Sequence, residues 1–281
     1  MRQREPAMSP ISKLFLPPQS LSGCILAGIY RDTRGVELSV EDRLNHFPAS
    51  PLVSVTFTLQ GRLRLLPPGA DWRCGPKSPI LPPLSILPPQ DTPTTSWSDE
   101  SIVALTVGVF PDAWRLLSGV ANTSTMPPVF KSAFERFEAE KNINQGWETF
   151  CAILDEAWNV VRPHGLLHGS RIAEWSRFVV TRAALSGTGR GIRSLERKVR
   201  CSSGQTRSSL AFYSKFERLH EHATKNADQS LANIAIDAGY SDQSHMGRAV
   251  HRATGLSPAQ LNKAIATKES FWCYRLLRER F

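Results

Sequence analysis

The segment Ser230–Leu261, SLANIAIDAGYSDQSHMGRAVHRATGLSPAQL, constrains the fold more than any other stretch of the chain. Leu231, Ile234, Ala235 and Ala238 recur at helical spacing and form one apolar stripe. Ser230 stands where an N-cap belongs, ready to accept a backbone N–H of the first turn. Gly239 follows the stripe, where a helix ends in left-handed backbone that glycine adopts without steric penalty. Ser241 or Asp242 then caps a second helix, whose apolar stripe is Met246, Ala249, Val250 and Ala253. A helix of about nine residues, a tight turn and a second helix make a helix-turn-helix arrangement. An ordinary αα-hairpin has the same outline, so the pattern alone leaves both readings open.

The second helix faces two ways. Asp242, Gln243, Ser244, Gly247, Arg248 and His251 lie at its start or away from the Met246 and Val250 face. Residues near the start of such a helix meet base edges in the major groove. Glutamine matches adenine and arginine matches guanine through paired hydrogen bonds. Gly247 has no side chain and lets a base or the DNA backbone approach closely.

These residues carry a resemblance. The stretch from Gly239 to Leu261 resembles the second helix-turn-helix of the AraC/XylS family of bacterial transcription regulators. The match runs through Gly239, Tyr240, Asp242, Gln243, Ser244, His245, Arg248, Thr254, Gly255, Ser257 and Pro258. Val250 stands where an aromatic residue is usual, and Met246 replaces a leucine or phenylalanine; both are core positions and touch only packing. The resemblance implies a first unit upstream. Arg193–Val199, followed by Gly204 and Gln205, looks like its recognition helix and exit. Leu195 and Val199 would be core, Arg193, Glu196 and Arg197 would face the groove, and Trp175, Phe178, Val179 and Leu185 would build the supporting helix. A helix over 205–224, with Leu210, Phe212, Phe216 and Leu219 inward, would join the two units. The resemblance covers about residues 171–267. Two recognition helices held this way would meet major-groove faces about one helical turn apart.

Charge agrees with that division. Residues 171–281 hold 19 Lys and Arg against 9 Asp and Glu, whereas residues 1–170 hold 15 against 16. A basic domain attracts polyanions, because each neutralised phosphate releases condensed counterions. Arg200, Arg207, Lys215 and Arg252 are the candidates for phosphate contact. The neutral part is punctuated by Pro17-Pro18, Pro67-Pro68, Pro82-Pro83, Pro88-Pro89 and Pro127-Pro128. Between these lie short apolar runs, and Val53, Val55, Phe57 and Leu59 alternate with Ser54, Thr56 and Thr58 as in a half-buried strand. The expected architecture is α+β. A β-rich barrel or sandwich spans 1–125, a helical connector and linker span 126–170, and an all-α domain with two helix-turn-helix units spans 171–270.

Family resemblance implies that the first domain senses an effector or dimerises. The run Gly108–Gly119 loosely resembles a segment of the short β-rich sensor domain of one subgroup. Trp72, Trp97 and Trp114 either line an apolar effector pocket or simply fill the core. Phe130, Phe134 and Phe137, at i, i+4 and i+7, are core.

The sequence offers no catalytic centre. Five scattered cysteines without a CxxC pattern read as reduced thiols. His164 and His168 have a metal-ligand spacing, but Pro163 and Gly165 interrupt the helix it needs and no third ligand stands near. No phosphate-binding or nucleophile-elbow motif occurs. No cofactor, no metal, no transmembrane helix and no signal peptide are expected, and the cytoplasm is the expected compartment. The partners implied are double-stranded DNA, a small-molecule effector, RNA polymerase and a second copy of the chain. The alternative is a DNA-repair enzyme with an appended module of this type, yet none of the cysteines sits in such an enzyme's acceptor motif.

Overall fold

The computed structural model describes residues 9–119, 125–163, 171–186, 191–225 and 229–279. Eight strands come first: β1 (Ile11–Phe15), β2 (Ile25–Asp32), β3 (Leu44–Phe47), β4 (Val53–Gln60), β5 (Leu63–Leu65), β6 (Leu84–Leu87), β7 (Thr94–Ser98) and β8 (Val103–Val109). They form a five-stranded antiparallel sheet, in the order β1-β2-β8-β4-β6, and a three-stranded one, β3-β7-β5. Strand β4 falls on the alternating run Val53 to Leu59 expected from sequence, and β2, β5, β6 and β8 take up other short apolar stretches between the proline pairs. Strands β1, β3 and β7 lack clean alternation and were not expected.

Alternation along β4 decides what each face meets. Val53, Val55, Phe57 and Leu59 pack into the main core, on the side of α2 (Pro128–Ala139) and α3 (Ile143–Val161). There Phe57 meets Phe134 with ring centroids 5.1 Å apart, and Phe130, Phe134 and Phe137 are all buried. Gly28 of β2 lies so close to Trp147 that a Cβ would stand 2.6 Å from the indole. A bare glycine is what lets α3 pack there. Ser54 and Thr56 point the other way, toward the second sheet, where Thr56 shares a 2.9 Å hydrogen bond with Thr106 of β8.

After β8, Pro111 starts α1 (Pro111–Ser118), which Gly119 ends in left-handed backbone. The remaining described elements are α4 (Ile172–Leu185), α5 (Ile192–Ser203), α6 (Arg207–Lys225), α7 (Leu231–Asp237), α8 (Gln243–Thr254), α9 (Pro258–Thr267) and α10 (Trp272–Glu279). The joining helix expected over 205–224 is present as α6, within two residues at each end. Leu185 departs from its expected supporting role, because it is 80% exposed.

The two halves share one core. Trp175, Val179, Val199 and Leu210 of the helical part belong to the same buried cluster as the sheet and α2–α3. The Trp175 indole N–H donates to Asp112 Oδ1 at 2.8 Å. Helix α10, beyond the expected end of the helical domain, returns to the strands. Its Trp272 N–H donates to Asn45 Oδ1 at 2.9 Å, and Phe47 meets the Trp272 ring edge-on.

Candidate DNA interface and effector cavity

The second unit is built from α7 and α8. Ser230 Oγ accepts the Asn233 N–H and caps α7. Gly239, at φ +87°, turns the chain, and Asp242 Oδ1 accepts the His245 N–H at 2.7 Å to cap α8. That bond holds the Asp242 carboxyl below the usual carboxylate range. Met246, Ala249, Val250 and Ala253 are buried. Gln243, Ser244, Arg248 and His251 are exposed, and Ser244, Arg248 and His251, at i, i+4 and i+7, share the outward face. Gly247 is half-buried.

Helix α5 repeats the design. Val199 is fully buried and Leu195 packs against the same cluster. Arg193, Arg197 and Arg200 share the opposite, exposed face. Glu196 is engaged elsewhere. Its carboxylate lies 3.8 Å from the Arg207 guanidinium and accepts the Arg207 backbone N–H, tying α5 to the start of α6. Arg252 lies over the Phe212 ring at 4.2 Å, and Lys215 over Tyr240 at 5.7 Å. These contacts leave Arg193, Arg197, Arg200 and Arg248 as the more open cations of the two outward faces.

Residues 186–264 match the family model described as "Helix-turn-helix domain". This stretch is a helix-turn-helix domain. It takes in α5 through most of α9, the elements whose exposed faces have just been described. No curated protein sequence matches the chain. Among solved structures, the chain is similar to ToxT from Vibrio cholerae, with a TM-score of 0.40 and 10% identity over 90% of this chain and 97% of that one. It is similar also to ToxT bound to (E)-4-(8-methylnaphthalen-1-yl)but-3-enoic acid, at 0.39 and 10% over 90% and 98%. A third is ToxT from the same organism bound to an unsaturated fatty acid, at 0.34 and 9% over 92% and 96%. Likeness of that size leaves the function to be argued from this chain's own residues.

Two of the three tryptophans of the first domain, Trp72 and Trp97, share one small cluster, and Trp114 lies apart from them in the main core. Trp114 is fully buried and stacks on Phe130 at 5.3 Å. Trp97 belongs to a small cluster with Leu44 and Leu66, its N–H donating to the Val40 carbonyl. Trp72 is half-buried and donates to Glu41. A cavity of about 190 Å³ lies elsewhere, and none of the three lines it. Its walls come from β2, β4 and β8, from Phe47 and Thr94 on the second sheet, and from α6 and α10. Sequence reasoning missed it because its lining residues are scattered over more than 250 positions. The signal present in the sequence was the Ser54 and Thr56 face of β4, which looked solvent-facing.

Two hydrogen bonds at the cavity's rim join the halves. Tyr213 Oη donates to the Gln90 carbonyl at 3.0 Å, and the Ala49 N–H donates to the Ala253 carbonyl at 2.8 Å. The second satisfies a carbonyl in the last turn of α8, which has no partner within the helix. Burial pushes the Tyr213 hydroxyl up to about 12. His164 and His168 lie outside the described residues. Among the described residues there is no group of His, Cys, Asp and Glu suited to a metal, and no helix long and apolar enough to cross a membrane.

Proposed function

We propose that this chain is a sequence-specific transcription regulator whose two helix-turn-helix units read successive major-groove segments, and whose DNA affinity responds to a small molecule in the cavity between the sheets and α6. The observation that carries it is the pair of recognition helices, α5 and α8, joined by one 19-residue helix, α6, each with an outward basic face. Arg193, Arg197 and Arg248 are the base-reading candidates to test first, together with Gln243, Ser244 and His251. Arg200 is the freest phosphate candidate. Arg207, Lys215 and Arg252 would have to leave intramolecular partners to serve as well.

Effector control would require the small molecule to bind two states of the protein with different affinity. Contact with RNA polymerase and pairing of two copies belong to the same proposal. Selection of binding sites from random duplex DNA by the full chain tests it. The expected result is a bipartite site with two motifs about one helical turn apart. Binding that only fades with salt, without enrichment, would mark a general polyanion binder instead.

A further inference from the structure

The 190 Å³ cavity carries its own ligand chemistry. Apolar cavities of about 150 Å³ are known to hold benzene, so this one suits a single substituted aromatic ring. Most of its wall is apolar, from residues such as Ala27, Ile29, Leu52, Leu87 and Leu277. Hydroxyls of Ser54, Thr56 and Thr106 supply a local polar strip.

Charge is the discriminating feature. No lysine or arginine is among the described residues that line the cavity. His220 offers no positive charge near neutral pH: burial, aided by Arg278 and opposed by its bond to the Phe216 carbonyl, lowers it to about 4. Among the described lining residues, the one carboxyl group belongs to Glu217, which is itself buried. Its oxygens accept the N–H groups of Ile172 at 3.0 Å and Ala173 at 2.8 Å, at the start of α4. An anion entering here would lose its hydration, face Glu217 and find no cation. A cation would meet a carboxyl group already committed to two backbone donors and a helix N-terminus, which offsets its pull.

We propose that the cavity binds an uncharged, mostly apolar molecule of about one aromatic ring bearing a hydroxyl or carbonyl, and rejects carboxylates of the same size. That this ligand is an effector rests on the regulator reading above; its chemistry does not.

The test is a matched series on the full chain: benzyl alcohol, benzoate and benzylammonium, titrated at pH 7.5 and followed by ligand-observed NMR. Benzyl alcohol should bind saturably, at least about ten-fold more tightly than either ion. Ala27→Leu, which narrows the cavity, should weaken benzyl alcohol binding about ten-fold. Glu217→Gln should shrink the gap between benzyl alcohol and benzoate. Benzoate or benzylammonium binding as tightly as benzyl alcohol in the unaltered chain overturns the proposal, whatever the variants do. So does the absence of saturable binding by all three. Site selection on DNA runs in parallel. Specific DNA binding without benzyl alcohol binding removes the cavity assignment alone, and the converse removes the regulator reading alone.

Discussion

Glu269→Gln should destabilise the protein by about 2–3 kcal/mol. Arg31, on β2, is 4% exposed, and its Nη2 lies 2.7 Å from Glu269 Oε1, just ahead of α10. The same guanidinium donates to Ser12 Oγ at 2.5 Å and lies over the Trp272 ring at 5.0 Å. Its Nε is buried without a hydrogen-bond partner, and burial lowers the Arg31 pKa against the opposing pull of Glu269. Removing one partner of a fully buried pair costs about 3–5 kcal/mol, because the other charge is left uncompensated. Glu269 is 29% exposed, so solvent screens part of that, and glutamine keeps one acceptor oxygen. For a chain of this size the loss corresponds to a fall in Tm of roughly 4–10 °C. Thermal melts of Arg31→Met, Glu269→Gln and the double variant form the assay. The double variant should be more stable than Glu269→Gln alone, since no buried charge remains. A Glu269→Gln loss below about 0.5 kcal/mol, or a double variant that simply sums the two single losses, would refute the reasoning.

Arg248→Ala should cost about 1–3 kcal/mol at one base pair of the selected site; a uniform loss on all sequences would instead mark Arg248 as a phosphate contact. His46 and His220 are both lowered to about 4, chiefly by burial. Between pH 6.5 and about 4 the unfolded chain therefore binds protons that the folded one does not. Stability should fall as pH drops through that window and be insensitive to these two groups above it; a Tm that climbs on acidification there would contradict the assignment. Tyr213→Phe removes one hydrogen bond between the halves, and Gln90 O keeps the Ser50 N–H, so the expected loss is only about 0.5–1.5 kcal/mol by chemical denaturation. A loss above about 3 kcal/mol would show that the bond is coupled to wider packing.

The parts legible in the sequence were those specified locally. Ser230, Gly239, Asp242 and the Met246–Ala253 stripe determine a cap, a turn and a buried face within a few residues of each other. Period-two alternation in β4 marked a half-buried strand but could not say what lay beyond Ser54 and Thr56; that depends on where β7, α6 and α10 arrive. Tryptophan signals burial without an address, so Trp97 beside Leu66 and Trp114 beside Phe130 read alike. The resemblance put Glu196 on the groove side, and only the entry of α6 sets Arg207 beside it. Helix α10 is eight residues long and buries Trp272, Cys273, Tyr274 and Leu276, too short an element for periodicity to stand out.

Helix α6 is where the cavity and the proposed DNA-reading faces meet. Tyr213, Phe216, Glu217 and His220 fall at i, i+3, i+4 and i+7, so one face of the helix lines the cavity. Glu217 on that face also holds the start of α4 in the first unit. Phe216 and Leu219 belong to the core of the second unit, together with Ile234, Met246 and Val250. A ligand that favours one position of α6 therefore bears on both recognition helices at once. Linkage then sets a strict requirement: if benzyl alcohol changes operator affinity by some factor, saturating operator must change benzyl alcohol affinity by the same factor. Binding to the cavity with no such reciprocal change would mean that the cavity and the proposed DNA-reading faces are not coupled through α6.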